Sequence, residues 1–302
     1  MTSNAATIAI RSGGSPCSDA ANPFGAAYRG KGKTGTVVLA RSAIRSQVDL
    51  PQPVQLNADV GAATFREEAG GQFFFNGIYS LPPPGACTIY TGMGDLLSEG
   101  PLPGNQPSVR LLDAGVAVTV SGAGGSRLIA RTGVDPKEYF DLLGGVVPDV
   151  LLPALLLDPG QFSISGAGGA DVGPFQGKVE MPPVLTNTNL GSVSIVRRAS
   201  GLNLTWGPPP AGALAVAILG ANYDLPTDSS AMFFCLAPAA DRSFTVPPWI
   251  LSAIPASRPR PYPSRGVLLM GTGLASPAVS TGGIDALLTV AIAASGQTVI
   301  YQ

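Results

Sequence analysis

The sequence predicts an all-β protein of two antiparallel β domains. Residues 1–180 are expected to form a β-rich meander or sandwich. Residues 181–302 are expected to form an immunoglobulin- or fibronectin-like sandwich with one short helix. Three observations predict it. First, 39 Gly and 29 Pro in 302 residues interrupt the chain too often for long helices. Glycine loses backbone entropy in a helix, and proline lacks the amide a helix needs. Second, short apolar runs alternate with polar residues at a period of two, which places one face of a strand on a core. Third, turn chemistry recurs between those runs as Asn-Gly, Pro-Gly and Ser-Gly-Ala-Gly-Gly.

In the first half, "ATIAI" and "TGTVVLAR" read as strands, separated by the polar connection "SGGSPCSDAANPFG". "FFFNGIYS" places Asn76-Gly77 between two aromatic or β-branched runs, a type I′ hairpin signal because both turn positions tolerate positive φ. "LPPPGACTIY" then supplies a turn and a strand. In "GVAVTVSGAGGSRLIAR", Val116, Val118 and Val120 share one face before a glycine turn and a returning strand, which makes a hairpin. "DPKEYFDLLGG" carries helix signals instead: Asp135 can cap, Pro136 suits the first turn, Glu138 completes a capping box and Gly144 can end it. "GQFSISGAGGADVGPFQGKVEMP" returns to strand, glycine turn and strand.

In the second half, strands are expected at "SVSIV", "LNLTW", "ALAVAIL", "AMFFC", "SFTV", "GVLLM", "ALLTVAIA" and "TVIY". Leu202, Leu204 and Trp206 alternate with Asn203 and Thr205, the pattern of a half-buried strand. "VPPWILSAIPAS" reads as a single short helix opened by Pro247-Pro248 and closed before Pro255.

Composition narrows the chemistry. With 18 basic and 19 acidic residues the formal charge is −1, which leaves no field for nucleic-acid binding by counterion release. The clusters Arg29, Lys31, Lys33 and Arg258, Arg260, Arg265 read as solvated loops. Histidine is absent, so no Ser-His-Asp or Cys-His site can be built and no imidazole can hold a metal. "AYRGKGKT" fits a relaxed phosphate-loop pattern, but a strand-like "GTVVLAR" follows it where the phosphate loop requires a helix. "SGAGGADVGPF" and its near twin "SGAGGSR" lack the third glycine and the helix of a dinucleotide loop, and read as turns. No catalytic, cofactor-binding or metal-binding residues are assigned.

Asp113, Asp171 and Asp285 lie among glycines near strand ends. Bonding to turn amides is the commonest use of such carboxylates, ahead of calcium ligation or acid catalysis. Glu67-Glu68 reads as a solvated edge, with a glycosidase carboxylate pair as the sharper alternative. Phe73, Phe74, Phe75, Tyr79 and Tyr90 fill a core or form a sugar-stacking platform, and the exposure of Trp249 bears on the same question. A bridge between Cys17 and Cys87 would close a loop of roughly 70 residues, worth about 4 kcal/mol; unpaired thiols are the alternative. Cys235, inside "AMFFCLA", reads as a small buried hydrophobe.

At "GGADVGPF", "RRASGLNLTW", "MFFCLAP" and "SFTVPPWILSAIPAS", with "LDAG" and "PGACTIY", the sequence resembles a group of uncharacterised proteins of acidobacterial soil bacteria. The resemblance covers roughly residues 60 to 302 and implies an exported, all-β protein without assigning any functional residue. No signal peptide is visible in "MTSNAATIAIRSGG", and no run is long enough for a membrane span. The function expected from these features is non-enzymatic: an extracellular or cell-surface protein of structure, adhesion or self-assembly. Its partners would be further copies, met through exposed strand edges, or a surface polysaccharide. A carbohydrate-binding module is the runner-up, and a carboxylate glycosidase comes third.

Overall fold

The computed structural model describes residues 33–46, 54–68, 82–91, 109–132, 138–146, 152–224, 227, 229–258, 266–277 and 279–302. The expected strand at "ATIAI", the Asn76-Gly77 hairpin, Phe73 to Phe75 and Cys17 lie outside these residues. Strands account for 64% of the structure and helical turns for 6%, so the fold is all-β.

The first-half strands are β1 (Lys33–Ser46), β2 (Val54–Glu68), β3 (Ala86–Thr91), β4 (Val109–Leu111), β5 (Ala117–Gly122), β6 (Gly125–Thr132), β7 (Glu138–Val146), β8 (Gly160–Gly166) and β9 (Phe175–Met181). The second half contributes β10 (Ile195–Val196), β11 (Leu202–Thr205), β12 (Ala215–Asp224), β13 (Ser229–Pro238), β14 (Ser243–Val246), β15 (Gly266–Ala275), β16 (Val279–Thr281) and β17 (Ile284–Tyr301). The helix α1 (Pro248–Ser252) begins with Pro248 at its first position and Pro247 as its cap, as the sequence predicts.

One large sheet runs in the order β3-β13-β12-β15-β17-β1-β2-β7-β6-β5-β8-β9, and β11 pairs with β14 in a second small sheet. Most pairs are antiparallel. The exceptions are β1 with β17, from Thr34 opposite Ala286 to Arg45 opposite Gln297, and β10 with β17. These parallel pairs are a correction to the fully antiparallel expectation. They join segments far apart in sequence, which hairpin turns cannot do.

The sheet folds over two apolar cores. In the first, Val37, Phe65, Val118, Tyr139, Phe162, Phe175 and Leu287 are all nearly inaccessible. To enclose them the sheet curls until β9 lies against β17, where Thr289 Oγ1 donates to the Lys178 carbonyl at 2.7 Å. In the second core, Leu204, Trp206, Phe233, Ile250, Met270 and Tyr301 pack between the large sheet and the β11-β14 layer with α1. β3 of the first half and the last residues of β17 both face this second core.

Three local expectations are corrected. Residues 138–146 are strand rather than helix: β7 pairs with β2, and Leu143, left without a partner by a bulge opposite Asp59 and Val60, lies in the core with Tyr139. Burial of those two side chains in a sheet overrides the local capping pattern. "ALLTVAIA" and "TVIY" are one strand, since Gly296 sits in mid-ladder opposite Leu269. A Cβ there would stand 2.6 Å from the Leu268 carbonyl, so this glycine permits close approach and makes no turn. "SVSIV" keeps only two strand residues after a 3-10 turn at Leu190–Ser192.

Candidate functional site

Both glycine clusters are turns between paired strands. The first is the two-residue turn of the β5-β6 hairpin, in which Gly122 pairs with Gly125 and Gly125 has φ +113°. The second joins β8 to β9 and docks on the segment before β5. There the amides of Asp171 and Val172 donate to the Asp113 carbonyl at 3.0 and 3.1 Å. A Cβ on Gly169 would lie 2.4 Å from both Asp113 Oδ1 and the Gly115 amide, so only glycine fits. Lys33, the lysine of the phosphate-loop pattern, opens strand β1 and donates its amide to Asp285 Oδ2 at 2.9 Å. The helix a phosphate would need is therefore a strand.

All three expected aspartates bond to turn or strand-end amides, and two of them form a clasp. Asp113 Oδ1 accepts from the Gly115 amide and Oδ2 from Arg131 Nη1. Asp171 Oδ2 accepts from the Asp113 amide and Oδ1 from Arg110 Nη1, while Nε and Nη2 of the same arginine donate to Glu67 Oε2. These bonds, Glu67 first, hold the Arg110 guanidinium more firmly protonated than a free arginine. Tyr139 completes the clasp by accepting from the Ala114 amide and donating to the Gly115 carbonyl. Burial raises the pKa of its phenol. Each oxygen of Asp113 and Asp171 is thus committed to a bond within the protein, and Glu67 serves an arginine. The side chain of Glu68 lies outside the described residues.

A second ionic cluster was not anticipated. Asp59 is fully buried on the inward face of β2, beside Arg41 on β1. Arg41 grips it through Nε and Nη2 at 2.8 and 2.9 Å, and the Leu156 and Leu157 amides donate to Oδ2 at 2.6 and 2.7 Å. The bond to Asp59 outweighs partial burial and raises the Arg41 pKa. A sequence signal existed: Val37, Leu39 and Arg41 occupy successive inward positions, so a charge stands where a core residue belongs. The cluster anchors the 152–158 segment over the core.

Of the aromatic group for which a sugar platform was the alternative reading, Tyr90 alone is among the described residues, half-buried on β3. Trp206 is buried and donates to the Ala239 carbonyl at 2.9 Å, and Trp249 is half-buried against the second core. The cysteine expectation is also corrected: Cys87 is bridged to Cys235 directly across β3 and β13, with Cα atoms 4.0 Å apart. Cys235 is therefore a cystine half rather than a free hydrophobe. The sequence offered no sign that β3 and β13 are neighbours. Among the described residues no group of three or more Cys, Asp or Glu could hold a metal. No described helix is long and apolar enough to cross a membrane.

Two surface features remain. The outer face of β17, β1, β2, β7 and β6 is apolar over two cross-strand rows. Register places Val38 beside Ala62 and Phe140, and Ile292 beside Ala40, Val60 and Leu142. Leu128 and Ala130 extend the face on β6, and Phe140 and Leu128 are 51% and 57% exposed. An antiparallel sheet over one core ordinarily turns polar side chains outward, so an apolar outer face is an unspent surface. The other feature is a cleft of about 600 Å³ between the β8-β9 hairpin and the turn leading into β16. No protein-family model, curated protein or solved structure matches the chain.

Proposed function

We propose that this chain is an exported, non-enzymatic β protein that serves in surface structure, adhesion or assembly, and that it meets further copies of itself through its outer sheet face. The observation that carries this reading is the apolar surface across five neighbouring strands, most exposed at Phe140 on β7 and Leu128 on β6. Five strands at about 4.8 Å spacing, two rows deep at about 7 Å per row, give a patch on the order of 350 Å². That is less than half of a standard interface of roughly 800 Å² per partner, which fits weak, reversible association reinforced by repetition on a surface. The two rows themselves carry no charge, and Glu138, exposed two residues before Phe140 on the same face of β7, borders them. The buried disulfide supports export, since such bridges persist in oxidising compartments.

Sedimentation across a wide concentration range tests the reading. The wild-type chain should associate reversibly, and Phe140→Ser combined with Leu128→Ser should weaken association by at least tenfold while leaving thermal stability near wild type. A chain that stays monomeric at millimolar concentration, or a double variant that associates as well as wild type, would refute it.

A further inference from the structure

Beyond β17 the large sheet continues as a wing of β15, β12, β13 and β3. Its inward face carries Val216, Phe233 and Met270 of the second core, under the layer of β11, β14 and α1. The alternate residues face outward. Register sets Gly296, Leu269, Leu219, Phe234 and Thr88 in one row across the five strands from β17 to β3. Flanking rows add Ala217 and Leu236 on one side, Val267 and Met232 on the other, and no residue of the three rows is charged. Leu269, Leu219 and Phe234 are half-buried and belong to neither core.

The same sheet shows what a solvated face looks like. On β8 and β9, Gln161, Ser163 and Ser165 face outward opposite Glu180, Lys178 and Gln176, while Phe162, Ile164 and Val179 face the first core. β12, β13 and β15 break that alternation and read as unbroken apolar runs, the pattern of strands covered on both sides. Five strands at about 4.8 Å spacing, three rows deep at about 7 Å per row, give an outward field on the order of 500 Å². That exceeds the patch at Phe140 and Leu128 and approaches the roughly 800 Å² per partner of a standard interface. Another sheet is the natural cover, since two sheets interdigitate at about 10 Å. A second copy supplies one, and the rows bring no charge against charge. Bilayer-surface binding draws on Lys or Arg beside the apolar face, and these rows hold neither.

We propose that the wing is a second self-contact: two copies pack their outward β15-β12-β13 faces sheet on sheet about a twofold axis, with Leu219, Leu269 and Phe234 at the centre. The inference rests on the self-association reading above and deepens it by naming the building block, a wing-to-wing dimer. β7 and β6, which carry Phe140 and Leu128, are separated from the wing by β17, β1 and β2 in the sheet order. Each wing dimer therefore still presents two copies of that smaller patch, one on each chain. The larger contact makes the dimer, and the smaller joins dimers reversibly.

The experiment is sedimentation of the full chain and two double variants over a wide concentration range, with circular dichroism to show each folded. Wild type should form a dimer first and larger species above it. Leu219→Gln with Leu269→Gln should weaken the dimer at least tenfold, whereas Phe140→Ser with Leu128→Ser should keep the dimer and lose only its further association. Nitroxide labels at Thr298→Cys, on the rim of the wing, in a Cys17→Ser chain should report one narrow distance between copies, which tests the contact without altering its centre. A folded Leu219→Gln, Leu269→Gln variant that dimerises like wild type, or a dimer whose Thr298→Cys labels show no coupling between copies, overturns the wing contact and leaves the self-association reading standing. A wild-type chain that is monomeric throughout overturns both.

Discussion

Removing the disulfide by Cys87→Ala with Cys235→Ala should reveal how much of the stability lies in the unfolded chain. The bridge joins residues 148 positions apart, and the chain-entropy relation for a loop of that length gives roughly 5 kcal/mol. Both cysteines are almost inaccessible in the second core, so truncation also removes packed sulfur and adds about 1 kcal/mol. Equilibrium guanidinium unfolding is the assay. The variant should lose a third or more of the stability of a typical domain, with a steeper denaturant slope because its unfolded state expands. Thiol titration of denatured wild type should find one free thiol from its three cysteines, and peptide mapping should assign it to Cys17. A loss below about 1 kcal/mol with an unchanged slope, or a free thiol mapped to Cys235, would refute the reasoning.

Two further outcomes follow from the buried groups. Asp59→Ala should cost about 3–5 kcal/mol, because it leaves two buried backbone amides unpaired and removes the buried partner of Arg41. Asp158→Ala, which removes the 77% exposed partner of the same arginine, should cost less than about 1 kcal/mol, both variants being compared by equilibrium urea unfolding. At alkaline pH, Tyr139 and Tyr301 resist ionisation because burial raises their phenol pKa values above the ordinary value near 10. Their contribution is complete below pH about 10 and is lost as pH rises toward the folded values, by up to about 1.4 kcal/mol per pH unit for each phenol. Tyrosinate absorbance should therefore rise in two stages, the second coinciding with the loss of far-UV dichroism; a single stage preceding unfolding would contradict the burial.

Local periodicity made much of this fold legible. β1, the β5-β6 hairpin, the β8-β9 pair and β11 follow from alternation between glycine turns, and α1 follows from its prolines. Periodicity fails where the deciding partner is distant. Glu138 to Gly144 has a locally sound helix start, yet Tyr139 and Leu143 are claimed by the first core through pairing with β2. "AASG" reads as a break in β17 because the need for a small residue at Gly296 comes from Leu268 and Leu269 on another strand. The Asp59 anchor was half-visible as an inward charge, but its receiving amides lie almost 100 residues away. Asp113 was legible because its Oδ1 bonds the Gly115 amide two residues on, whereas Asp171 does meet a backbone amide, but one 58 residues away at Asp113. The cleft was not, since it arises where two edges fail to meet.

The parallel pairing of β1 with β17 explains why both surface features depend on nearly the whole chain. Thr34 meets Ala286 and Arg45 meets Gln297, so the centre of the large sheet is assembled from segments about 250 residues apart. Closing such a loop costs entropy before any contact repays it, and the ladder is held only if both flanking cores form. β17 supplies that coupling: Leu287 and Ala291 belong to the first core, Val299 and Tyr301 to the second. Its outward residue Ile292 borders the apolar face, and its inward Leu287 and Thr289 line the cleft. A single strand thus fixes the position of a face and a seam on opposite sides of one sheet. Perturbing either core should loosen both.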